Sequence, residues 1–206
     1  MRITEIRPRR KSLSAVFLDG EFAMNLDTAA LREAGWREGL EISDEEFLTL
    51  KQESSRRRAR EKALYLLEHR DHSKKELAEK IARTEGVEAG REAAERMEEI
   101  GLVNDASYAR RYAAELLGRK GFAPRRARQE LRRKGIDPEL IEEILAEQEE
   151  DPQKKIREIL ERKYARVLPD EKGRRRAIGA LERLGYEYDD IRSVLREMIT
   201  DLDCEE

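Results

Sequence analysis

The apolar positions of the chain follow a strand-like spacing at its start and a helical spacing after Ser43. Ser12 to Leu18 and Glu21 to Leu26 are short apolar or β-branched runs joined by Asp19-Gly20. Asp-Gly tolerates the positive φ angles of a two-residue hairpin turn. We therefore predict a β-hairpin, with Ile3 to Arg7 as a candidate third strand.

A short helix is expected to follow the hairpin. It should run from Thr28 to Ala34 and stop at Gly35, because glycine readily ends a helix. Trp36 and Leu40 should pack this helix onto the sheet. The first fifty residues are thus predicted to form a small β-hairpin and helix unit.

The next segment reads as a long helix. Ser43 and Glu46 have the spacing of a capping box, in which each side chain satisfies the other residue's free backbone N–H. The helix should run from Asp44 toward His69, with Ser54-Ser55 as a candidate interruption. Its apolar side is predicted to carry Phe47, Leu50, Ala59, Ala63, Leu64 and Leu67.

The C-terminal half contains an internal repeat. Residues 127–145 and 177–195 match at a constant offset of fifty residues. The matched pairs are Ala127 with Ala177, Leu131 with Leu181, Gly135 with Gly185, Ile136 with Tyr186, Ile141 with Ile191, Ile144 with Val194 and Leu145 with Leu195. Repetition of this kind indicates stacked helical units, which usually act as extended binding surfaces.

Three helices per repeat and three repeats are the simplest interpretation. In the first repeat, the second helix should open at Ser73, with Glu76 in capping-box spacing, and turn Leu77 and Ile81 inward. After a turn at Gly86, the third helix should carry Ala93, Met97 and Ile100 and end at Gly101. The second repeat should open at Asn104-Asp105 and have as its landmarks Tyr108, Tyr112, Leu116, Pro124, Ala127, Leu131, Asp137-Pro138, Ile141, Ile144 and Leu145. The third should contain Asp151-Pro152, Ile156, Ile159, Leu160 and a longer loop around Pro169.

We therefore predict a mainly α fold, with tandem three-helix repeats in an elongated curved array and a small N-terminal β-hairpin/helix unit. The expected boundaries are 1–50 for the N-terminal unit and 51–103, 104–150 and 151–206 for the repeats. The composition agrees with thin modules rather than one thick core, since only 38% of residues are hydrophobic and 43% are charged.

Cysteine content and hydropathy favour a cytoplasmic protein. The single cysteine, Cys204, excludes an internal disulfide and fits a reducing compartment. No apolar run is long enough for a transmembrane helix, and no apolar segment follows the basic N-terminus as in a signal peptide. We expect a soluble, untargeted chain.

Charge is strongly segregated within a formal net charge of -3. From Tyr108 to Lys134 there are ten basic and two acidic residues, and from Asp137 to Asp151 there are eight acidic residues and no basic one. The candidate binding residues are Arg110, Arg111, Arg119, Lys120, Arg125, Arg126, Arg128, Arg132, Arg133, Lys134, Arg175 and Arg176. Arginine supplies planar, multidentate donors for phosphates or carboxylates.

Two interpretations of these cations have equal weight at this point. They can form an exposed polyanion-binding surface, or they can neutralise the acidic third helices of their own modules. Clustering on one helix that follows Gly121 and Pro124 slightly favours an exposed groove. Tyr108 and Tyr112 are expected in the core rather than as base-stacking platforms, because their spacing continues to Leu116.

No motif of an enzyme is present. The sequence contains no GxxxxGK[ST] phosphate loop, HExxH, GxSxG or CxxC motif. His69 and His72 could share a metal, but a third ligand is not evident. We therefore expect no catalytic site, no cofactor and no metal.

A series of short segments follows one another along the chain. They are Ala63-Leu64-Tyr65-Leu66-Leu67, Arg70, Ser73-Lys74-Lys75-Glu76-Leu77, Gly101-Leu102-Val103-Asn104-Asp105, Tyr108-Ala109-Arg110, Lys120-Gly121, Pro124-Arg125-Arg126, Gln129-Glu130-Leu131 and Lys134-Gly135-Ile136. Taken in this order, they resemble the bacterial RecX regulatory proteins. The resemblance covers roughly residues 56 to 200, and the N-terminal hairpin unit looks like the extension found in some members.

The resemblance implies a non-enzymatic modulator of the RecA recombinase. Members of the family are tandem three-helix repeats that lie in the groove of the RecA filament on single-stranded DNA and commonly inhibit its ATPase, strand-exchange and co-protease activities. The chain would then act as a monomer in recombination, DNA repair and the SOS response. Reversal of Arg125, Arg126 and Arg128 to Glu is expected to weaken inhibition while leaving the fold intact.

Two other classes remain open. A stand-alone DNA- or RNA-binding module would bind naked nucleic acid with steep salt dependence and without RecA. A tetratricopeptide-type scaffold would have no nucleic-acid partner, but its 34-residue period is missing.

Overall fold

In the computed structural model, residues 1–10, 12–148 and 151–203 are described. Cys204, on which the expectation of a reducing compartment rests, lies outside these residues, as do Glu149 and Glu150 of the acidic segment. The chain divides into two compact units, Met1–Asn104 and Asp105–Glu206. The fold is mainly helical, as predicted, with a small N-terminal sheet.

The first unit contains a three-stranded sheet followed by helices. Its elements are β1 (Ile3–Pro8), β2 (Leu13–Leu18), β3 (Glu21–Asp27), α1 (Thr28–Glu33), α2 (Asp44–His69), α3 (Lys74–Glu85) and α4 (Val87–Glu99). The elements of the second unit are α5 (Asp105–Ala114), a π-helical turn (Glu115–Arg119), α6 (Pro124–Arg133), α7 (Pro138–Ala146), α8 (Pro152–Tyr164), a 3-10 turn (Ala165–Val167), α9 (Glu171–Leu184) and α10 (Tyr188–Asp203).

The predicted hairpin is confirmed, and β1 is the third strand. All neighbours are antiparallel in the order β1-β2-β3. Asp19 and Gly20 form the turn with φ values of 51° and 89°. This pair of positive φ angles is the reason why Asp-Gly suits a two-residue turn.

One face of the sheet forms the first hydrophobic core with α1 and the start of α2. The buried residues are Ile3, Val16, Leu18, Leu26, Ala30, Leu31, Ile42 and Leu50. Trp36 and Leu40 are half-buried against this core, which confirms the packing expected for them. The Asp27 carboxylate caps α1 by accepting the backbone N–H of Ala30 at 2.9 Å.

Helix α2 is continuous, so the expected interruption at Ser54-Ser55 was wrong. Ser54 is buried, and its hydroxyl accepts the backbone N–H of Asp27 at 2.7 Å. The serine therefore fastens the helix to the end of β3 instead of breaking it. The predicted capping box of Ser43 and Glu46 is present and lowers the pKa of Glu46, chiefly through the backbone N–H of Ser43.

The second core of this unit lies between α2, α3 and α4. Ala59 and Ala63 of α2, with Leu77 and Ile81 of α3, are fully buried in it. The expected inward positions of Leu64 and Ile100 were wrong, since these residues are 49% and 46% exposed. Helix α2 presents its small alanines to the core, which turns Leu64 outward, and α4 ends before Ile100.

The second unit contains two three-helix groups with matching cores. Ala127, Leu131, Ile141 and Ile144 in the first group have no exposed surface, and the same applies to Ala177, Leu181 and Ile191 in the second. Tyr108 is buried and Tyr112 packs against the same core, as expected. The fifty-residue repeat is therefore a repeat of core positions.

The longer loop expected around Pro169 was wrong. The 3-10 turn follows α8 directly, Leu168 is buried, and the Asp170 carboxylate caps α9 at the N–H of Gly173, 3.0 Å away. A Cβ at Gly173 would lie only 1.9 Å from the Val167 carbonyl oxygen. Glycine thus lets the turn fold back onto the first turn of α9, which shortens the connection.

Candidate functional site

Helix α6 carries five arginines and a single carboxylate, Glu130. Its two fully buried residues, Ala127 and Leu131, form a narrow inward stripe. Pro124 occupies the first turn, where its missing N–H has no helical partner to lose. The five arginines of the helix must therefore leave it on the flanking and outer faces.

Three of these arginines line one groove between α6 and the end of α9. They are Arg125, Arg126 and Arg133, and α9 adds Arg183 as a fourth. The remaining lining residues are Gln129, Glu130, Glu182 and Gly185. The groove thus combines four guanidinium groups with two carboxylates.

The two three-helix groups are joined at this groove by backbone contacts. The N–H of Ala123 donates to the carbonyl of Leu184 at 2.9 Å, and Ala123 belongs to the core of the second group. A Cβ at Gly185 would lie 2.7 Å from the Cβ of Arg126. Only glycine, which has no Cβ, lets the backbone at position 185 come this close to Arg126.

Arg126 contributes to this junction. Its guanidinium donates to the carbonyl of Arg183 and lies 4.3 Å from the ring centroid of Phe122. These contacts fix the guanidinium beside the groove, so that Arg126 is both a lining residue and a structural one.

Arg125 and Arg133 are the most accessible arginines of α6 in the groove. Their side chains are 59% and 70% exposed, and each has a glutamate partner: Glu187 lies 3.4 Å from Arg125, and Glu130 pairs with Arg133. Exposed ion pairs of this kind contribute only about 0–1 kcal/mol. An incoming phosphate or carboxylate can therefore replace these partners at little cost.

Arg128 and Arg110 instead neutralise the acidic helix α7. Two hydrogen bonds of 2.6 and 2.7 Å join Arg128 to Glu142, and they raise the pKa of Arg128 and lower that of Glu142. Arg110 lies 3.2 Å from Glu143 and 3.5 Å from Glu147. For these two arginines the structure agrees with charge neutralisation inside the module.

Arg119 and Lys120 cluster at the π-helical turn with Lys134. Both Arg119 and Lys120 pair with Glu115, and hydrogen bonds from these two side chains, first from Arg119, lower its pKa. Lys120 and Lys134 also lie 5.3 and 5.8 Å from the ring centroid of Tyr112. These cations form a group separate from the groove-lining residues.

The other predicted binding residues are dispersed and exposed. Arg111 donates to the carbonyl of Ser107 at 3.3 Å. Arg175 pairs with Glu171 at 2.6 Å, and Arg132 and Arg176 are exposed on α6 and α9. None of these four residues lines the groove.

Arg183 was not among the binding residues predicted from the sequence. It lies fifty residues after Arg133, so the repeat itself carried the signal. The prediction favoured the run Arg175-Arg176, neither of which lines the groove. The cation that α9 contributes is instead the one at the repeat position of Arg133.

The described residues, 1–10, 12–148 and 151–203, contain no group of three or more potential ligands that could hold a metal ion. His69 and His72 each direct Nδ1 to a backbone carbonyl, that of Tyr65 and that of Arg70. Over the same part of the chain, no helix is long and apolar enough to cross a membrane.

Sequence comparison identifies both three-helix groups of the second unit. Residues 104–145 match the family model of the second RecX three-helix domain, and residues 149–195 match that of the third. A regulatory protein RecX from Caldanaerobacter subterraneus is 34% identical over 118 residues, 56% of this chain and 59% of that protein. One from Clostridium beijerinckii is 27% identical over 118 residues, 57% of this chain and 55% of that protein.

Structural comparison supports the same fold. A crystal structure of regulatory protein RecX has a TM-score of 0.59 at 18% identity and covers 97% of this chain and 98% of its own. That of RecX from Lactobacillus salivarius has a TM-score of 0.57 at 21% identity and covers 71% of this chain and 97% of its own. With two family models matched in the expected order and two relatives of the same name, residues 104–145 and 149–195 are the second and third three-helix domains of the RecX family.

Proposed function

We propose that this chain is a non-enzymatic regulator that binds the RecA filament on single-stranded DNA and inhibits its ATPase, strand-exchange and co-protease activities. The match to two RecX three-helix domains supports this proposal, and the relatives that the chain matches are named regulatory protein RecX. The alignments span little more than half the length of those relatives, 59% and 55%.

The groove between α6 and α9 carries the proposal. Its four guanidinium groups, those of Arg125, Arg126, Arg133 and Arg183, belong to two adjacent RecX domains and face one surface. Planar guanidinium groups bind carboxylates and phosphates through paired hydrogen bonds. A groove of this kind can therefore contact acidic side chains of RecA, DNA phosphates, or both.

We further propose that residues 51–103 are a first three-helix repeat and that residues 1–50 are an accessory unit. The helices α2, α3 and α4 share one core, which supports this division. In this proposal the protein acts as a monomer in the cytoplasm.

The direct test is RecA-catalysed ATP hydrolysis on single-stranded DNA, titrated with the full chain. We expect the rate to fall as the chain is added. An unchanged rate at saturating concentrations, with the chain folded by circular dichroism, would refute the proposed regulation.

Reversal of Arg126 or Arg128 would also break the contacts with the Arg183 carbonyl and with Glu142. The triple reversal of Arg125, Arg126 and Arg128 would therefore disturb the packing as well as the charge. Arg125→Glu with Arg133→Glu alters the two more exposed arginines instead. We expect this double variant to inhibit RecA less than wild type.

A matched control has the same change in net charge elsewhere. Arg83→Glu with Arg96→Glu reverses two exposed arginines of α3 and α4 in the first unit. The control should inhibit like wild type. If both double variants lose inhibition equally, net charge rather than the groove explains the effect.

A stand-alone DNA-binding protein is the second candidate function, and the same basic groove favours it. Its signature is binding to naked single or double strands that weakens steeply as salt is raised, because bound phosphates release counterions. RecA inhibition that disappears when excess free DNA is supplied would favour this candidate, since competition for DNA would then explain the inhibition.

A further inference from the structure

The outer face of the N-terminal sheet carries an exposed row of flat side chains. Arg7, Phe17 and Phe22 lie side by side on the face opposite Val16 and Leu26. The ring centroids of Phe17 and Phe22 are 5.8 Å apart, and the Arg7 guanidinium lies 5.2 Å from that of Phe17. Phe22 is 54% exposed, so that its ring is accessible from solvent.

The guanidinium of Arg7 is held in place. Its Nε and Nη2 donate to the Glu5 carboxylate at 2.9 Å and 2.7 Å. Glu5 pairs with Phe17 across the strands, so it keeps the guanidinium over that ring. A guanidinium next to two phenyl rings is a surface on which nucleobases can stack.

Two further cations stand at one end of this row. Arg9 and Arg10 follow β1 directly and are exposed. Among the residues that the structure describes, neither has a carboxylate within ion-pair distance. Their charge is therefore available to a phosphate backbone that continues from the stacked bases.

The nearby acidic residues do not oppose this. The Asp19 carboxylate accepts the backbone N–H of Arg2 at 2.8 Å, in the turn at the far end of the sheet. Glu21 precedes Phe22, and successive side chains of a strand point to opposite faces. Asp27 shares the register of Phe17 but is buried, where it caps α1 and lies 3.4 Å from Arg57. Glu5, the carboxylate beside the aromatic row, is paired with Arg7.

We propose that this face, defined by Arg7, Arg9, Arg10, Phe17 and Phe22, binds a short segment of single-stranded nucleic acid. Bases stack on Phe22 and on the row formed by Phe17 and Arg7, while Arg9 and Arg10 bind phosphates. A single strand fits because its base faces are accessible, whereas a duplex hides them in its stack. The site is independent of the groove between α6 and α9, and it requires no RecA.

The test is direct binding of the full chain to a short fluorescein-labelled oligothymidylate, measured by anisotropy without RecA. The chain carries Arg125→Glu and Arg133→Glu as background, so that binding through the groove is reduced. In this background, Phe22→Ala should weaken binding about 5- to 150-fold, as expected for the loss of one base–aromatic stack. Tyr65→Ala is the matched control, because Tyr65 is 60% exposed on α2 of the same unit.

The arginines are tested through salt dependence. Replacing Arg9 and Arg10 together by alanine should make the plot of log affinity against log salt concentration less steep. The slope should fall by about 0.7 for each phosphate that the variant no longer binds. An unlabelled duplex of the same length should compete poorly with the labelled strand.

Three results would overturn the proposal. They are no binding of the strand by the background protein, equal binding by the Phe22→Ala and Tyr65→Ala variants, and competition by duplex as strong as by single strand. None of these results depends on RecA inhibition, so they leave the proposed regulatory function untouched. Conversely, the chain can leave RecA-catalysed ATP hydrolysis unchanged and still bind the strand through the sheet, so the two proposals fail separately.

Discussion

Gly185 joins the two three-helix groups of the second unit, and replacing it by alanine tests how close that junction is. Gly185 has a φ of 95°, a left-handed conformation that L-residues adopt at a cost of about 1–2 kcal/mol. The added Cβ would also lie 2.7 Å from the Cβ of Arg126 and 3.3 Å from its backbone nitrogen. Carbon atoms in contact are normally about 3.5–4.0 Å apart.

The size of the effect follows from these two terms. Neither neighbouring atom is the end of a flexible side chain, so relief requires a movement of α6 itself. Overpacking of this kind costs about 1–3 kcal/mol. Together with the backbone term, we expect Gly185→Ala to lower the free energy of unfolding by about 2–5 kcal/mol.

Gly135→Ala is the matched control. Gly135 occupies the equivalent position fifty residues earlier, has a φ of 78° and is exposed, whereas Gly185 is buried. Because Gly135 is exposed, its replacement should cost little beyond the backbone term of about 1–2 kcal/mol. Urea unfolding of both full-length variants, followed by far-ultraviolet circular dichroism, measures the difference. Equal free energies of unfolding for the two variants would refute the steric argument.

Three further outcomes are expected. Ser54→Ala should lower the free energy of unfolding by about 1–3 kcal/mol, because the buried N–H of Asp27 loses its acceptor, and chemical denaturation measures the loss. Burial lowers the pKa of His72 from its ordinary value of 6.5, so His72 takes up a proton more readily in the unfolded chain than in the folded one. The free energy of unfolding should therefore fall as the pH drops below 6.5. In His72→Gln this part of the pH dependence should vanish. Gly90→Ala should lower the thermal midpoint, because a Cβ there would lie 2.7 Å from the Ala78 carbonyl oxygen, and a wild-type midpoint would contradict this contact.

Local patterns predicted the elements that depend on neighbouring residues. The Asp19-Gly20 turn, the cap of Ser43 with Glu46 and the start of α6 at Pro124 appear as expected, since each rests on interactions within a few residues. The interruption predicted at Ser54-Ser55 was wrong because the interaction of Ser54 is not local. The partner of the Ser54 hydroxyl is Asp27, twenty-seven residues away, and no local pattern reveals it.

Local patterns predict one part of the candidate site, and tertiary packing decides the other. That five arginines leave α6 on its outer faces follows from the buried positions of Ala127 and Leu131. Which of them pair with acidic residues of the same module depends on how α7 packs, and this separates Arg128 from Arg125. Arg128 therefore neutralises Glu142 of its own three-helix group, whereas Arg125 pairs with Glu187 of the next group.

The sequence by itself determined the repeat, the helical spacing and the repeated core positions of the second unit, because burial of apolar side chains requires a regular period. Only the tertiary structure decided that Arg183 lies in the same groove as Arg125 and Arg133. It did so through the contact between Gly185 and Arg126, in which two residues far apart in sequence approach closely because one lacks a side chain. The order of charges along the chain is given by the sequence, whereas a binding surface depends on the distances between helices.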